Sequence, residues 1–385
     1  MILLMYFSVT AAAIMCVMVA ATFSGGDPCC CSEDLCCPGE PDRNADLPAW
    51  MVGVVATAAG DVPRVSTRWD RRDRLGTIIV RLGIRRMNYS VEPGLYAVGE
   101  PDAESPVFVT ANYKKSFDHL RRDLDGYDGW VLVLDTGGIN VWCAAGEGTF
   151  GTEELVQRIE ATGLEKVVSH RELIVPQLGA PGVAAHEVRR DSSFRVIYGP
   201  VRSEDLPEYL DAGREAGDEM REVRFSLPDR LVLTPVEVVG GAKYVAGLLV
   251  VLVGLGAIGG GFSPAALAGS VPAALGICAL GLLTGAVLTP ALLPWLPGRA
   301  FSAKGAVAGL AMGAAAGLLY WNAGGGPAGA VSALLLVAVI ASVFGMNFTG
   351  ASTCTSLSGV RKEMRMAVPA QVAVGLCGLV LWTLA

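Results

Sequence analysis

Residues 130–138 read WVLVLDTGG, five apolar side chains followed by an acid, a threonine and two glycines. An apolar run that stops at such a cluster predicts a buried strand that meets a turn. Helical spacing of apolar residues at 113–124 predicts a helix before this strand, and Thr152 is the expected N-cap of a helix after it. Alternation of strands and helices predicts a Rossmann-like parallel α/β sheet, with ligands at the carboxyl ends of the strands.

The flanking sequence supplies further elements of this sheet and one unusual cysteine. We expect a helix that begins near Ser203, and further strands at 77–82, 107–110, 166–169, 172–175 and 194–198. Cys143 is expected in the loop between the strand at 130–134 and the helix at Thr152. From its position alone, Cys143 fits a small buried hydrophobic residue as well as a reactive group at the ligand edge.

The distribution of charge divides the chain into two parts. The 385 residues are 52% hydrophobic and 17% charged, and the mean hydropathy is +0.46. This composition is too apolar for an ordinary soluble enzyme and indicates membrane segments. Five apolar runs approach the length that a transmembrane helix needs. They are residues 244–262, 267–288, 305–320, 328–345 and 367–384.

Basic residues in the connections orient the expected spans. The second connection carries Arg299 and Lys304, and the fourth carries Arg361, Lys362 and Arg365. The positive-inside rule puts these connections, and the charged domain before the first span, in the cytoplasm. We therefore expect an inner (cytoplasmic) membrane protein of several passes. Its net charge of −7 offers no basic patch, which excludes nucleic-acid binding as a class.

Four domains follow from these patterns. Residues 1–23 are a possible N-terminal membrane anchor, because they are apolar but lack the basic start of a secretory signal. Residues 24–45 form a Cys-rich linker. The expected soluble domain is 46–241, and the expected all-α membrane domain of five transmembrane helices is 242–385.

The linker contains five closely spaced cysteines: Cys29, Cys30, Cys31, Cys36 and Cys37. A cytoplasmic location favours thiolate binding of a soft metal over disulfides. Their spacing matches no zinc or iron–sulfur motif, so a tail without a metal role is the alternative.

Residues 140–155, NVWCAAGEGTFGTEEL, closely resemble the signature of the membrane-bound corrinoid protein of microbial mercury methylation, in which a Trp-Cys pair precedes small residues and a lysine. The resemblance covers most of the chain from about Arg85 onward. It includes RMNYSVEPGLYAVGEPDAESPVFVTANYKKSFDHLR, PQLGAPGVAAHEV, YGPVRSEDLPEYL and NFTGASTCTSLSGVRKEM. The same blocks are similar, more distantly, to the corrinoid domain of the corrinoid iron–sulfur protein of acetyl-CoA synthesis.

The resemblance implies roles for the residues of this motif. Cys143 would be the lower axial ligand of the cobalt in a cobalamin-type corrinoid, on the face opposite the methyl group. The remaining cofactor-binding residues implied are Thr110, Asn112, Asn140, Val141, Trp142, Ala144, Ala145, Gly146, Gly179, Pro181 and Gly182. The expected fold is thus a corrinoid-binding α/β domain followed by membrane helices.

The implied activity is that of a corrinoid-dependent methyltransferase. It would transfer a cobalt-bound methyl group, as a carbanion equivalent, to inorganic Hg(II) and so give methylmercury. A thiolate is a strong donor that weakens the opposite cobalt–carbon bond, and metal coordination deprotonates it. The resemblance further implies a ferredoxin-like partner with two four-iron clusters as reductant and a methyltetrahydrofolate-linked methyl donor.

Two departures from the signature and two other functions are kept open. Glu147 replaces the lysine of the signature, and the Cys-rich linker is an addition, for which we hypothesise capture of Hg(II) by paired thiolates. The first alternative function is a methyl-carrying corrinoid protein of one-carbon metabolism. The second is a membrane-tethered soft-metal binding module without turnover.

Overall fold

The computed structural model describes residues 48–351 and 357–385. These residues form two compact units that divide between residues 223 and 224. The expected anchor and the cysteines of the linker lie outside the described residues. The first unit is a sheet flanked by helices, and the second is entirely helical.

One sheet of seven strands forms the centre of the first unit. The strands are β1 (Met51–Thr57), β2 (Gly60–Val65), β3 (Gly94–Val98), β4 (Val107–Ala111), β5 (Gly129–Leu134), β6 (Glu172–Val175) and β7 (Arg195–Tyr198). Their order across the sheet is β1-β2-β3-β5-β4-β6-β7.

The helices of this unit connect and cover the strands. They are α1 (Arg71–Arg81), α2 (Lys114–Asp123), α3 (Val141–Glu147), α4 (Thr152–Ala161), α5 (Leu164–Val167), α6 (Ala185–Ser192), α7 (Leu206–Asp211) and α8 (Asp218–Arg221). Short 3₁₀ turns occur at Arg86–Asn88, Gln177–Gly179 and Ser203–Asp205.

Burial on both faces explains the continuous apolar run in β5, in which every residue is buried. Trp130, Leu132 and Leu134 belong to the core that includes Leu155 and Ile159 of α4. Val131 and Val133 belong to the opposite core, which includes Phe117 and Leu120 of α2. A strand covered on both faces cannot alternate with polar residues, so the sequence carries an unbroken run.

The expected parallel sheet is correct for only part of the fold. β4 pairs in parallel with β5 and β6, and β6 pairs in parallel with β7. β3, however, pairs antiparallel with β5, and β1 pairs antiparallel with β2. The sheet is therefore mixed. The β1–β2 hairpin and the strand β3 extend the parallel part.

Two expected strands are helices instead. The segment 77–82 lies mostly in α1, which begins at a capping box between Asp70 and Asp73 and buries Thr77 and Val80. The segment 166–169 overlaps α5, which buries Leu164 and Val167 at helical spacing. Capping and helical spacing outweigh the strand preference of β-branched residues in both segments. The strands expected at 107–110, 130–134, 172–175 and 194–198 are confirmed within a residue of each end.

The second unit consists of seven helices and one π-helical turn among its described residues. The helices are α9 (Leu227–Leu231), α10 (Thr234–Gly259), α11 (Pro264–Leu283), α12 (Thr289–Leu292), α13 (Phe301–Asn322), α14 (Pro327–Ala351) and α15 (Leu357–Thr383). The π-helical turn is Thr284–Leu288. Helix α10 begins at Thr234, ahead of the domain boundary at residue 242 that the charge distribution suggests.

Five helical segments of this unit are long and apolar enough to cross a membrane, in agreement with the five runs in the sequence. They are Leu227–Gly259, Pro264–Leu292, Phe301–Asn322, Pro327–Thr349 and Gly359–Thr383. Length and composition alone identify them, so their membrane location stays a prediction.

Glycines on one face of α13 allow it to pack closely against α14. A Cβ atom added at Gly309 would lie 2.7 Å from Ala338 Cα and 2.8 Å from Ala341 Cβ. At Gly313 it would lie 2.6 Å from the carbonyl oxygen of Leu334. Both contacts are shorter than van der Waals separation, so small residues are required on this face.

We expect Gly309→Ala to destabilise the helical unit by about 1–3 kcal/mol, the usual cost of overpacking. The control is Gly276→Ala in α11, where an added Cβ meets no atom within 4 Å. Both changes alter helix propensity equally, so their difference reports packing. Titration with SDS in mixed micelles, followed by tryptophan fluorescence, measures the unfolding of both variants. Equal unfolding curves for the two variants would contradict the packing described here.

Candidate functional site

The path of the chain through the sheet marks the edge where a ligand site is expected. The chain runs from β4 to β5 on one side and then crosses β4 to reach β6 on the other side. The direction of the crossovers therefore changes at the β4–β6 boundary. In open α/β sheets, ligands bind beyond the carboxyl ends of strands at such a change of direction.

A buried asparagine organises this edge. Asn112, directly after β4, is 6% exposed. Its Oδ1 accepts hydrogen bonds from the backbone N–H of Thr136 at 3.1 Å and of Gly138 at 2.9 Å, and lies 2.8 Å from the Thr136 hydroxyl. Its Nδ2 donates to Asp135 Oδ1 at 3.1 Å. One side chain thus holds the turn after β5, in which Gly137 and Gly138 have φ of +63° and +75°.

Cys143 lies in a short helix, and the expectation that it belongs to a loop is wrong. Asn140 is the N-cap of α3, and its side chain accepts a hydrogen bond from the Cys143 N–H at 2.9 Å. Gly148 ends the helix in the left-handed conformation, with φ of +93°. Asparagine and glycine are favoured at these two positions, so the ends of α3 are set by its own sequence.

The loop after β6 packs against the back of α3. A Cβ atom added at Gly182 would lie 3.0 Å from Ala145 Cα and would collide with the Phe150 carbonyl oxygen. A Cβ atom at Gly179 would meet the Phe150 ring at 2.5 Å. These glycines allow the two segments to approach at backbone distance.

Thr152 does not cap α4 as expected. Gly151 is the N-cap, without a side-chain hydrogen bond. The Thr152 hydroxyl instead accepts a hydrogen bond from the Ala184 N–H at 2.9 Å. Thr152 therefore fixes the loop before α6, because its hydroxyl is engaged there.

The surroundings of the Cys143 thiol oppose its ionisation. Burial raises its pKa, and the Glu147 carboxylate raises it further. The Arg86 guanidinium and the hydrogen bond with Asn140 lower it. The thiol is free and partly exposed, so it is accessible but mainly protonated at neutral pH.

The structure brings most of the site residues implied by the resemblance to this edge, with different exposures. Trp142, Cys143 and Gly182 are partly exposed, while Gly146 and Pro181 are exposed. The buried members are Thr110, Asn112, Val141, Ala144, Ala145 and Gly179. Cys29, Cys30, Cys31, Cys36 and Cys37 lie outside the described residues, and metal capture by them stays a prediction.

Sequence reasoning missed one residue beside the thiol. Arg86 is close enough to Cys143 to lower the pKa of its thiol, and it also lowers the pKa of the Tyr113 hydroxyl, which burial raises. The run from Arg81 to Arg86 contains three arginines and no acidic residue. This local excess of positive charge is visible in the sequence, but it does not indicate that Arg86 approaches Cys143.

Comparison with known proteins relates this part of the chain to acetyl-CoA synthesis. The profile of the CdhD family, described as "CO dehydrogenase/acetyl-CoA synthase delta subunit", matches residues 75–210. Similar proteins include subunit gamma of the acetyl-CoA decarbonylase/synthase complex from Methanopyrus kandleri, 38% identical over 123 residues. The corresponding subunit of Methanocaldococcus jannaschii is 41% identical over 127 residues, and that of Archaeoglobus fulgidus is 33% identical over 147 residues.

The similarity is local in both partners of each comparison. It covers 31%, 32% and 37% of this chain and 26%, 26% and 31% of the respective relatives. The matched region thus spans less than a third of these relatives. The names confirm the likeness to proteins of acetyl-CoA synthesis, and none of these three names refers to mercury.

We expect Asn112→Leu to free the turn after β5. The backbone N–H groups of Thr136 and Gly138 would lose their shared acceptor, at a cost of about 1–3 kcal/mol for each group left buried and unpaired. Hydrogen exchange read by mass spectrometry should show faster exchange in a peptide over residues 135–139. Peptides from β7, two strands away from β4, are the control. Unchanged protection of the turn would disprove the role assigned to Asn112.

We expect Glu147→Lys to make Cys143 several-fold more reactive. Replacing the carboxylate by an ammonium group removes a contribution that raises the thiol pKa, so more thiolate is present at a given pH. The rate of alkylation by iodoacetamide, read at the Cys143 peptide by mass spectrometry, measures this. Glu153→Lys, at an exposed position in α4, is the control. Equal rates in both variants would refute the electrostatic contribution of Glu147.

Proposed function

We propose that residues 48–223 bind a corrinoid and carry a methyl group in one-carbon metabolism. The observation that carries this proposal is the partly exposed Cys143 thiol on a helix capped at both ends, at the ligand edge of the sheet. The similarity of residues 75–210 to proteins of acetyl-CoA synthesis supports the same assignment.

The residues at this edge fit a broad, flat cofactor. A Cβ atom at Gly146 would meet no atom within 4 Å, so the exposed end of α3 is open on that side. Ala144 and Ala145 are buried in the core on the interior side of the helix. On that side, the close contact between Gly182 and Ala145 prevents α3 from moving further into the protein. A large ring could therefore approach the backbone of α3 at Gly146, where no atom occupies the space of a side chain.

Cys143 would hold the corrinoid through its sulfur atom; Asn140 and Arg86 support that role, while burial and Glu147 oppose ionisation of the free thiol. The corrinoid, when bound, supplies the cobalt chemistry by which a methyl group is held and released. Asn140 fixes the backbone at Cys143 through its capping hydrogen bond. Burial raises the pKa of the free thiol, so binding of Cys143 to the metal would release the thiol proton. The Arg86 guanidinium favours the thiolate formed in this way.

Hg(II) is a second candidate acceptor of the methyl group, and the proposed thiolate ligand Cys143 favours it. A bound corrinoid would supply the methyl group, and a Cys143 thiolate, as a strong donor, would favour release of that methyl as a carbanion equivalent. Such a group reacts with a soft electrophile. The close resemblance of residues 140–146 to the mercury-methylation signature supports this acceptor, although Glu147 departs from it.

The remaining assignments belong to the same proposal. The five apolar helices would anchor the chain in the cytoplasmic membrane with the corrinoid unit in the cytoplasm. A ferredoxin-like protein with two four-iron clusters would be the reductant, and a methyltetrahydrofolate-linked donor would supply the methyl group. Capture of Hg(II) by the Cys-rich linker would have a role only if Hg(II) is the acceptor.

Absorption spectra of the corrinoid-loaded protein test the ligand assignment. We expect Cys143→Ala and Cys143→His to change the cobalt spectrum, each in a different way, because the donor atom changes. Cys278→Ala removes a buried thiol of the helical unit and should leave the spectrum as in the wild type. Spectra that stay unchanged in both Cys143 variants would rule out the thiolate ligand.

The acceptor is tested separately with the methylated protein. Methyl transfer to Hg(II) is compared with transfer to biological thiols and to a nickel site under the same conditions. Preference for a thiol or nickel acceptor supports the one-carbon function. Preference for Hg(II) supports mercury methylation. Mercury binding without any corrinoid would instead indicate a metal-binding module without turnover.

A further inference from the structure

Three basic residues that lie near one another, one of them close to Cys143, lack carboxylate partners within the described part of the chain. They are Arg81 at the end of α1, Arg86 in the following 3₁₀ turn, and Lys115 in the first turn of α2. Their neighbours Lys114 and Arg121, in contrast, both form ion pairs with Asp73 and Asp118 at 2.6–2.8 Å. We call Arg81, Arg86 and Lys115 the basic cluster.

Backbone contacts hold the segment of Arg86 against the candidate site. The N–H of Val91 donates to the Asn112 carbonyl oxygen at 2.9 Å, and the N–H of Lys114 donates to the Tyr89 carbonyl oxygen at 2.9 Å. A β-bridge joins Ser90 to Tyr113. The segment therefore lies along the junction of β4 and α2, the same junction that carries Asn112.

The basic cluster contains an unsatisfied donor. Arg81 Nε is buried and has no hydrogen-bond partner among the described residues. A buried donor without a partner is costly, and a guanidinium commonly finds that partner in a carboxylate or phosphate. The described residues therefore supply no acceptor for Arg81 Nε.

The N-terminus of α2 adds to the positive field. It has no side-chain cap and no acidic residue in its first turn. Burial, together with the charges of Arg81 and Arg86, lowers the pKa of Lys115 to about 8. Positive charges held this close repel one another, and an anion bound among them relieves that repulsion.

We propose that the basic cluster binds a phosphate group, and that this group is the phosphodiester in the nucleotide tail of the corrinoid. The inference rests on the proposed function, because it assigns one substituent of the same cofactor. Two arginines offer several N–H donors to phosphate oxygens, and Lys115 adds a point charge. The nucleotide tail would then lie on the Arg86 side of Cys143.

Two corrinoids that differ in the phosphate alone test this assignment. The probes are cobinamide and cobinamide phosphate, both of which lack the nucleotide base that competes for the cobalt. Binding to the full chain in detergent is measured by quenching of tryptophan fluorescence. We expect the wild type to bind cobinamide phosphate roughly tenfold more tightly, which corresponds to about 1.4 kcal/mol.

Variants of the basic cluster should remove this preference selectively. Arg81→Gln, and separately Lys115→Gln, should weaken binding of cobinamide phosphate while cobinamide binds as before, because neither residue acts on the Cys143 thiol. The unchanged binding of cobinamide also reports that the variants fold. Arg74→Gln, at an exposed position of α1, is the matched control and should keep the preference.

Other outcomes distinguish this inference from the proposed function. Equal binding of the two probes by the wild type, or a preference that survives in the variants, overturns the phosphate site and leaves corrinoid binding intact. If inorganic phosphate binds through the basic cluster while the two probes bind equally, the site serves a free anion and the assignment to the tail is wrong. Failure of the wild type to bind either probe overturns both proposals.

Discussion

Asn112 is buried at the end of β4, where its carboxamide oxygen accepts hydrogen bonds from the backbone of Thr136 and Gly138. The turn after β5 owes its conformation to this acceptor, and α3 begins two residues beyond that turn. The direction in which Cys143 leaves the sheet is therefore set by a side chain on a neighbouring strand. Deletion of one amide would disturb the candidate site although Asn112 itself is almost inaccessible.

The charged residues near α2 form two groups, which differ in whether opposite charges compensate them. Asp73 and Asp118 neutralise Lys114 and Arg121 inside the protein, where an unpaired ion would cost several kcal/mol. The basic cluster lies nearby without such compensation among the described residues. The first group joins α1 to α2 and is complete in the protein alone. The basic cluster has no compensating carboxylates among the described residues, as is expected of residues that bind an anionic ligand.

The sequence predicts the central strands and the position of the site better than the rest of the fold. β5 is recognisable because burial on both faces leaves an unbroken apolar run, and Cys143 is recognisable through its motif. The antiparallel pairing of β3 with β5 depends on contacts between distant segments, which local patterns do not encode. Segments 77–82 and 166–169 were misassigned because β-branched residues favour strands until a capping box or a buried helical face outweighs them. The role of Arg86 depends on its approach to Cys143 across the fold, which no local motif predicts.

The two caps of α3 have a consequence for how this site can diverge among relatives. Asn140 and Gly148 define the helix through backbone hydrogen bonds, and neither contact uses the side chain at position 143. The donor atom offered from that position is therefore independent of the scaffold that presents it. Evolution can exchange a sulfur, nitrogen or oxygen donor there by a single codon change without rebuilding the sheet edge. The chemical character of the group presented at position 143 is in this respect a property of one interchangeable residue.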